Sequence, residues 1–331
     1  MNWLSDEAIS RLQAASALPD LSGTRYQLVK RLGSGGMGVV YLAEDTILGR
    51  RVALKVLDVP DASGELAARL QREASILATL EHPGMVPVHD AGTLADGRGF
   101  YAMKFVEGTR LDRLDAQKET LLDLLRIFMR ICETVSFAHA RGVLHRDLTP
   151  GNIMIGSFGE VLVMDWGVAK ILSSTSEGGV DKLPKRNKTV RNLTPSAALL
   201  QTEHGTVLRT MGYMSPEQAR GEIESLDVRS DIFSLGAILQ FLLTKTSSES
   251  PPPPLSAISK KAMSPDRANR YESCSALGRD VGRYLDGLPV SAYPETIFTK
   301  LFRWGSKYRM AIGLVLTYLL VRTLLLLWYR H

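Results

Sequence analysis

Short runs of β-branched and aromatic residues occupy the first third of the chain, and apolar residues at helical spacing occupy most of the remainder. The runs are Tyr26-Gln27-Leu28-Val29, Val39-Val40-Tyr41-Leu42-Ala43 and Val52-Ala53-Leu54-Lys55-Val56-Leu57. A glycine-rich turn and the polar turn Gly49-Arg50-Arg51 separate them, which predicts an antiparallel meander. Leu66, Leu70, Ile76, Leu77 and Leu80 then recur as one face of a helix over 65–80. After His82-Pro83 come two apolar stretches, Met85–Val88 and Phe100–Val106, the second expected to be a fifth strand running into a linker at Glu107-Gly108. Leu121, Leu124, Leu125, Phe128, Ile131, Val135 and Ala138 predict a long helix over 120–140, and the rest is mainly helical. The expected fold class is α+β, with a β-rich small lobe (25–107), an α-rich large lobe (108–287) and a cleft at the hinge.

The flanks read differently. Ser5-Asp6-Glu7 ahead of Ile9, Leu12 and Ala15 predicts a short capped helix within an N-terminal extension, 1–24. Pro251-Pro252-Pro253-Pro254 is expected to be extended polyproline, followed directly by the helical Leu255–Met263.

Composition narrows the classes. The 331 residues are 45% hydrophobic and 23% charged, enough for a real core. The net charge of +5 is spread over separate basic runs without interleaved aromatics, which argues against a nucleic-acid groove. Two cysteines, Cys132 and Cys274, make no disulfide framework and imply a reducing compartment. Met1–Asp20 carries acids and no apolar core of a signal peptide.

The candidate chemistry lies in four places. Gly33-Ser34-Gly35-Gly36-Met37-Gly38, between Leu32 and Val39-Val40, can fold its backbone over phosphate oxygens. The β-branched residues after it predict a strand, which argues against a dinucleotide fold, since that fold needs a helix there. Lys55 lies in an apolar strand and needs an anion, which Glu73 on the helical segment offers. Leu144-His145-Arg146-Asp147-Leu148-Thr149-Pro150-Gly151-Asn152 and Met164-Asp165-Trp166-Gly167 set two carboxylates and a carboxamide around an apolar strand pair. Oxygen ligands such as Asn152 and Asp165 suit magnesium beside a phosphate.

With these motifs in this order, the chain resembles the protein kinases, of the bacterial eukaryotic-like serine/threonine type, from about Tyr26 to Leu285. The resemblance implies ATP and Mg²⁺ as cofactors and protein Ser/Thr hydroxyls as substrates. It makes Asp147 the acceptor of the hydroxyl proton, Asn152 and Asp165 the metal ligands, and Lys55, braced by Glu73, the binder of phosphates. Adenine is expected between Val40 and Ala53 on one side and Met154 on the other, with 103–106, including Met103, Phe105 and Val106, along its edge. It further implies an activation segment over 165–217, with Thr202, Thr206 and Thr210 as candidate phosphorylation targets and basic residues from Lys182 to Arg191 in a polar loop. Glu217 would pair with Arg270, and Asp231 would anchor the catalytic-loop backbone. A dimer in which one copy phosphorylates the other is a further partner reading. Thr149 stands where such kinases usually carry a lysine that touches the γ-phosphate, Trp166 replaces a phenylalanine, and Met211 fills a position where proline is common. Thr149, Met211 and a large lobe that looks abbreviated after Leu243, where kinases often place a further helix before the segment at Leu255–Met263, motivate an alternative, a nucleotide-binding pseudokinase scaffold.

Past the lobe, 288–309 is basic, with Lys300, Arg303, Lys307 and Arg309, and 310–329 is apolar except for Arg322. Those 20 or so residues, at ~1.5 Å each, reach ~30 Å, the thickness of a bilayer core. Insertion is expected, with the basic side cytoplasmic: a single-pass anchor in the bacterial inner membrane with the kinase domain in the cytoplasm.

Overall fold

The computed structural model describes residues 18–35, 38–58, 64–115, 119–166, 170–171, 212–245 and 250–294, together with 313–315, 317–319, 321–323 and 328. The expected helix near residues 5–15, Gly36 and Met37 of the glycine turn, Lys182–Arg191, Thr202, Thr206, Thr210 and Met211 lie outside the described residues.

The small lobe is a five-stranded antiparallel sheet. It contains β1 (Tyr26–Gly35), β2 (Gly38–Asp45), β3 (Arg50–Val56), β4 (Val88–Thr93) and β5 (Gly99–Lys104), in the order β1-β2-β3-β5-β4. Side chains alternate across the sheet. Val39, Tyr41, Ala43, Val52, Leu54 and Val56 fill an outer cluster with Tyr26 and Phe100. The alternate row, set by the register pairs Val40–Lys55, Leu42–Ala53, Ala53–Met103 and Lys55–Tyr101, faces the other way, toward α1 (Glu65–Thr79) and the cleft.

Two sequence expectations are corrected by the fold. The stretch Met85–Val88 is not itself a strand: Met85 makes an isolated bridge to Val163, and pairing starts at Val88. Strand β4 carries His89, Asp90, Gly92 and Thr93, the polar composition of an edge strand, which hides it from an apolar-run reading. The proline run is not extended throughout, because Pro253 and Pro254 open a helix, Pro253–Ala262. Proline has no N–H to leave unsatisfied in a first turn and its φ is already helical.

The large lobe is built on α2 (Leu121–Ala140). Thr120 and Asp123 cap each other reciprocally at its start, and Leu124, Leu125, Phe128, Ile131, Val135 and Ala138 are fully buried. Around it lie the short α3 (Pro216–Ala219), α4 (Val228–Lys245), α5 (Pro253–Ala262) and α6 (Cys274–Leu285). One apolar core runs from Leu70 and Leu77 of α1 through α2 into α4, α5 and α6, joining the lobes. Where they meet, β6 (Gly108–Arg110), β8 (Ile153–Gly156) and β9 (Val161–Val163) form a small sheet, and β7 (Val143–Leu144) pairs with β10 (Lys170–Ile171). Among the described residues no helix is long and apolar enough to cross a membrane. The described residues of 310–329 are helical and exposed, and the remainder of that stretch lies outside the described residues.

Candidate active site

Lys55 is 8% exposed and Glu73 2%, so the strand lysine does find its anion inside the protein. Lys55 Nζ donates to Glu73 Oε1 at 2.8 Å and Oε2 at 3.1 Å, and to Asp165 Oδ1 at 3.0 Å. Burial alone would push the Lys55 ammonium down, but the charges of Asp165 and Glu73 outweigh it and hold the ammonium above its ordinary range. Tyr101, in register with Lys55, donates its hydroxyl to Glu73 Oε1 at 2.8 Å. Its ring lies 5.8 Å from Lys55 Nζ. Burial, reinforced by the Glu73 charge, keeps this phenol protonated well above the ordinary range.

The second half of the site is the loop between β7 and β8. Asn152 Nδ2 donates to Asp147 O at 2.8 Å and to Asp147 Oδ2 at 3.2 Å, which binds the carboxamide to the carboxylate and leaves Asn152 Oδ1 for another partner. Burial, with the Asp165 charge adding to it, holds the Asp147 carboxyl above the ordinary aspartate range. His145 Nε2 lies 3.0 Å from Met164 O and its Nδ1 accepts from Asp147 N at 3.3 Å. A carbonyl only accepts, so Nε2 carries the proton. Trp166, fully buried, packs its ring 4.5 Å from that imidazole and donates Nε1–H to Val163 O. Arg146 and Asp165 are the described non-glycine residues with positive φ, 69° and 59°. Such backbone persists only where its surroundings fix it. The buried Asp231 of α4 does so for the loop, accepting from His145 N at 2.9 Å and Arg146 N at 2.8 Å, with His139 Nε2 at 2.7 Å. Gln218 Nε2 donates to Arg146 O at 2.7 Å. Burial would raise the Asp231 carboxyl, but these donors hold it below the usual range.

Below the loop, Arg270 makes a buried two-pronged pair with Glu217, Nη1 to Oε1 at 2.7 Å and Nη2 to Oε2 at 2.9 Å. Those bonds overcome burial and bring Glu217 down to about 2.

Of the residues expected around a nucleotide, Val40, Ala53 and Met103 share the cleft-facing row of the sheet, and Met154 is half-buried on β8. Val39 is a correction: it is 4% exposed in the outer cluster, turned away by strand alternation. Leu32, Gly33 and Ser34 are exposed on β1, Phe105 and Val106 are half-buried after β5, and Gly35 pairs with Gly38 at the head of the hairpin. Gly38 admits no side chain, since a Cβ there would lie 2.2 Å from Val56 O. Residue types alone did not reveal Tyr101, His139 or Gln218. Tyr101 was reachable by parity, since it shares a strand face with Met103 and lies across from Lys55.

A family model for the protein kinase domain matches residues 26–262. The chain belongs to the protein kinase family. It is 33% identical to serine/threonine-protein kinase PknD of Protochlamydia amoebophila, over 84% of this chain and 32% of that protein. To PknD of Chlamydia trachomatis serovar L2b it is 37% identical, over 83% of this chain and 33% of that protein. The chain thus spans about a third of the length of these curated relatives. Among solved structures, the kinase domain of PknI from M. tuberculosis aligns with a TM-score of 0.55 and 26% identity, covering 82% of this chain and all of that one. The two-lobe architecture is the kinase fold, and the Lys55–Glu73–Asp165 and Asp147–Asn152 groups lie within the matched region.

Proposed function

We propose that this chain is a membrane-tethered serine/threonine protein kinase that transfers the γ-phosphoryl group of ATP to protein hydroxyls. The observation that carries the reading is Lys55 held at once by Glu73 and Asp165, with Asp147 and Asn152 bonded to each other beside them. A buried lysine with two carboxylates is costly as mere architecture and suits a site that receives phosphate oxygens.

In the mechanism, Lys55 stays charged and keeps Glu73, which is buried, while its bond to the half-exposed Asp165 is the one exchanged for phosphate oxygens. Asp165 and the free oxygen of Asn152 are hard donors suited to Mg²⁺, which when bound neutralises charge on the phosphates. Among the described residues no cluster of three or more His, Cys, Asp or Glu side chains could hold a metal, and Asp165 and Asn152 would hold Mg²⁺ together with phosphate oxygens. The acceptor hydroxyl donates its proton to Asp147 as its oxygen bonds the γ-phosphorus, the bridging bond to the β-phosphate breaks, and ADP leaves. Transfer is mostly positioning and charge stabilisation, so the Asp231 anchor beneath Asp147 matters as much as the base.

The test is transfer of labelled phosphate from ATP, with Mg²⁺, to the chain itself and to a generic protein substrate, using Asp147→Asn as control. Label in the parent and none in the variant supports the proposal, and a rate that rises with enzyme concentration supports transfer between copies. ATP binding without label in either protein overturns it in favour of a scaffold. The tether rests on the apolar stretch 310–329 and the basic residues before it, which together favour a single-pass anchor with the kinase domain on the cytoplasmic side.

A further inference from the structure

Gly151 lies in the catalytic loop, and the space its side chain would take is already filled. A Cβ there would meet Arg110 Nη2 at 2.3 Å and Arg110 Cζ at 3.4 Å, with Thr149 Oγ1 at 3.6 Å. The guanidinium of Arg110 therefore rests on the loop beside Thr149, the position where the resemblance leads one to expect a lysine. Arg110 ends β6, in register with Met154, and residues 108–110 are all exposed, so the cation sits on the solvent rim of the cleft. Asp112 approaches its Nε at 3.3 Å and Nη2 at 3.4 Å, long for charge-assisted hydrogen bonds, and the Arg110 side chain remains 44% exposed. A guanidinium has five N–H donors in a planar fork that matches a carboxylate, and Asp112 engages only part of it.

Asp147 and Thr149 line one narrow crevice with Tyr213 and Met214. Thr149 Oγ1 and the Arg110 guanidinium both lie within 4 Å of the Gly151 Cβ position, so the rim cation borders the wall that Thr149 gives this crevice. Resting on the proposed kinase activity, we infer that Arg110 is a specificity-determining residue that selects protein substrates with an acidic side chain close to the acceptor hydroxyl. The glycine at 151 is then part of the device, because any larger residue would displace the guanidinium.

The experiment uses the full chain in mild detergent with a non-hydrolysable ATP analogue. Fluorescent single-serine peptides, each with one Asp stepped along an alanine background, are titrated by anisotropy, and phosphate transfer from ATP to the same peptides is followed in parallel. The parent is expected to favour Asp at one or two positions by roughly three- to ten-fold, the range of a partly exposed ion pair. Arg110→Ala should erase that preference, Arg110→Lys should keep part of it, and Arg110→Glu should turn it toward peptides with Lys at the same positions. Absence of any acidic preference, a preference that survives Arg110→Ala, no measurable peptide binding, or a defect confined to the KM for ATP would each overturn the inference. Binding needs no turnover. An Arg110-dependent preference for Asp without phosphate transfer would overturn the kinase reading and leave the recognition intact.

Discussion

At the residue scale, burial sets the state of the catalytic-loop carboxylate. Asp147 sits above the ordinary aspartate range because burial opposes its charge. A carboxyl whose folded pKa is raised binds protons more tightly folded than unfolded, so it costs stability once pH passes the unfolded value near ~3.9, and the cost is complete once pH passes the folded value. Asp147→Asn is therefore expected to lower phosphate transfer by about 10²–10⁴-fold, the usual contribution of a positioned base, without lowering the thermal midpoint. Calorimetry beside the labelling assay checks this, and a midpoint several degrees below the parent contradicts it. The acid limb of kcat/KM should likewise lie above that of an ordinary aspartate. Tyr101 gives a second prediction. Its hydroxyl is one of the donors on the buried Glu73, and a hydrogen bond to a charged group contributes about 1.5–3 kcal/mol. Tyr101→Phe should raise the KM for ATP about three- to ten-fold through a loosened Glu73–Lys55 pair, measured by steady-state kinetics, and an unchanged KM would show that Lys55 alone positions Glu73.

At the element scale, the site depends on helices that reach it from far along the chain, and the Glu217–Arg270 pair ties two of those segments together. Arg270→Ala strands a carboxylate that is 3% exposed and should cost about 3–5 kcal/mol in urea unfolding. Glu217 falls from an ordinary 4.5 to about 2, so its stabilisation is full above pH 4.5 and is lost as pH drops through about 2. The gap between parent and variant should accordingly be widest above pH 4.5 and close toward pH 2; a gap independent of pH would mean that packing, not charge, carries the pair. Much of this arrangement was readable in the sequence because it obeys short-range rules. Alternation in β2 and β3, helical spacing in α2, and the ordered motifs around Asp147 and Asp165 each reflect local geometry or residue type. The features that escaped reading needed contacts between elements. Tyr101 looks like strand filler until α1 brings Glu73 to its hydroxyl, and Arg110 looks like a solvated charge until Gly151 opposes it. The paired valines Val39 and Val40 read alike as a run, and only register shows that one faces the cleft and the other the outer cluster.

At the scale of the whole molecule, the decisive question is how the kinase fold is placed in the cell, and the physics turns on Arg322. A charge at the centre of a span costs about 2.5–3.5 kcal/mol, while the eleven Leu, Ile and Val residues of 310–329 return together about 3–7 kcal/mol. The central values favour insertion by about 2 kcal/mol, less than the cost of one further charge. The full chain expressed in bacteria should therefore stay in the pellet after alkaline carbonate extraction, and Arg322→Leu should stay there too. Leu319→Arg adds a second charge of the same cost and removes one apolar contribution, so it should move the protein into the supernatant while ATP binding by the separate kinase lobes persists. On the proposed tether, the four basic residues Lys300, Arg303, Lys307 and Arg309 that precede the stretch would set its orientation. Protease added outside spheroplasts should leave the kinase domain intact, and it should digest that domain only after lysis. Release of the unaltered chain by carbonate would remove the tether, and the kinase lobes would then act on substrates without a membrane to concentrate them.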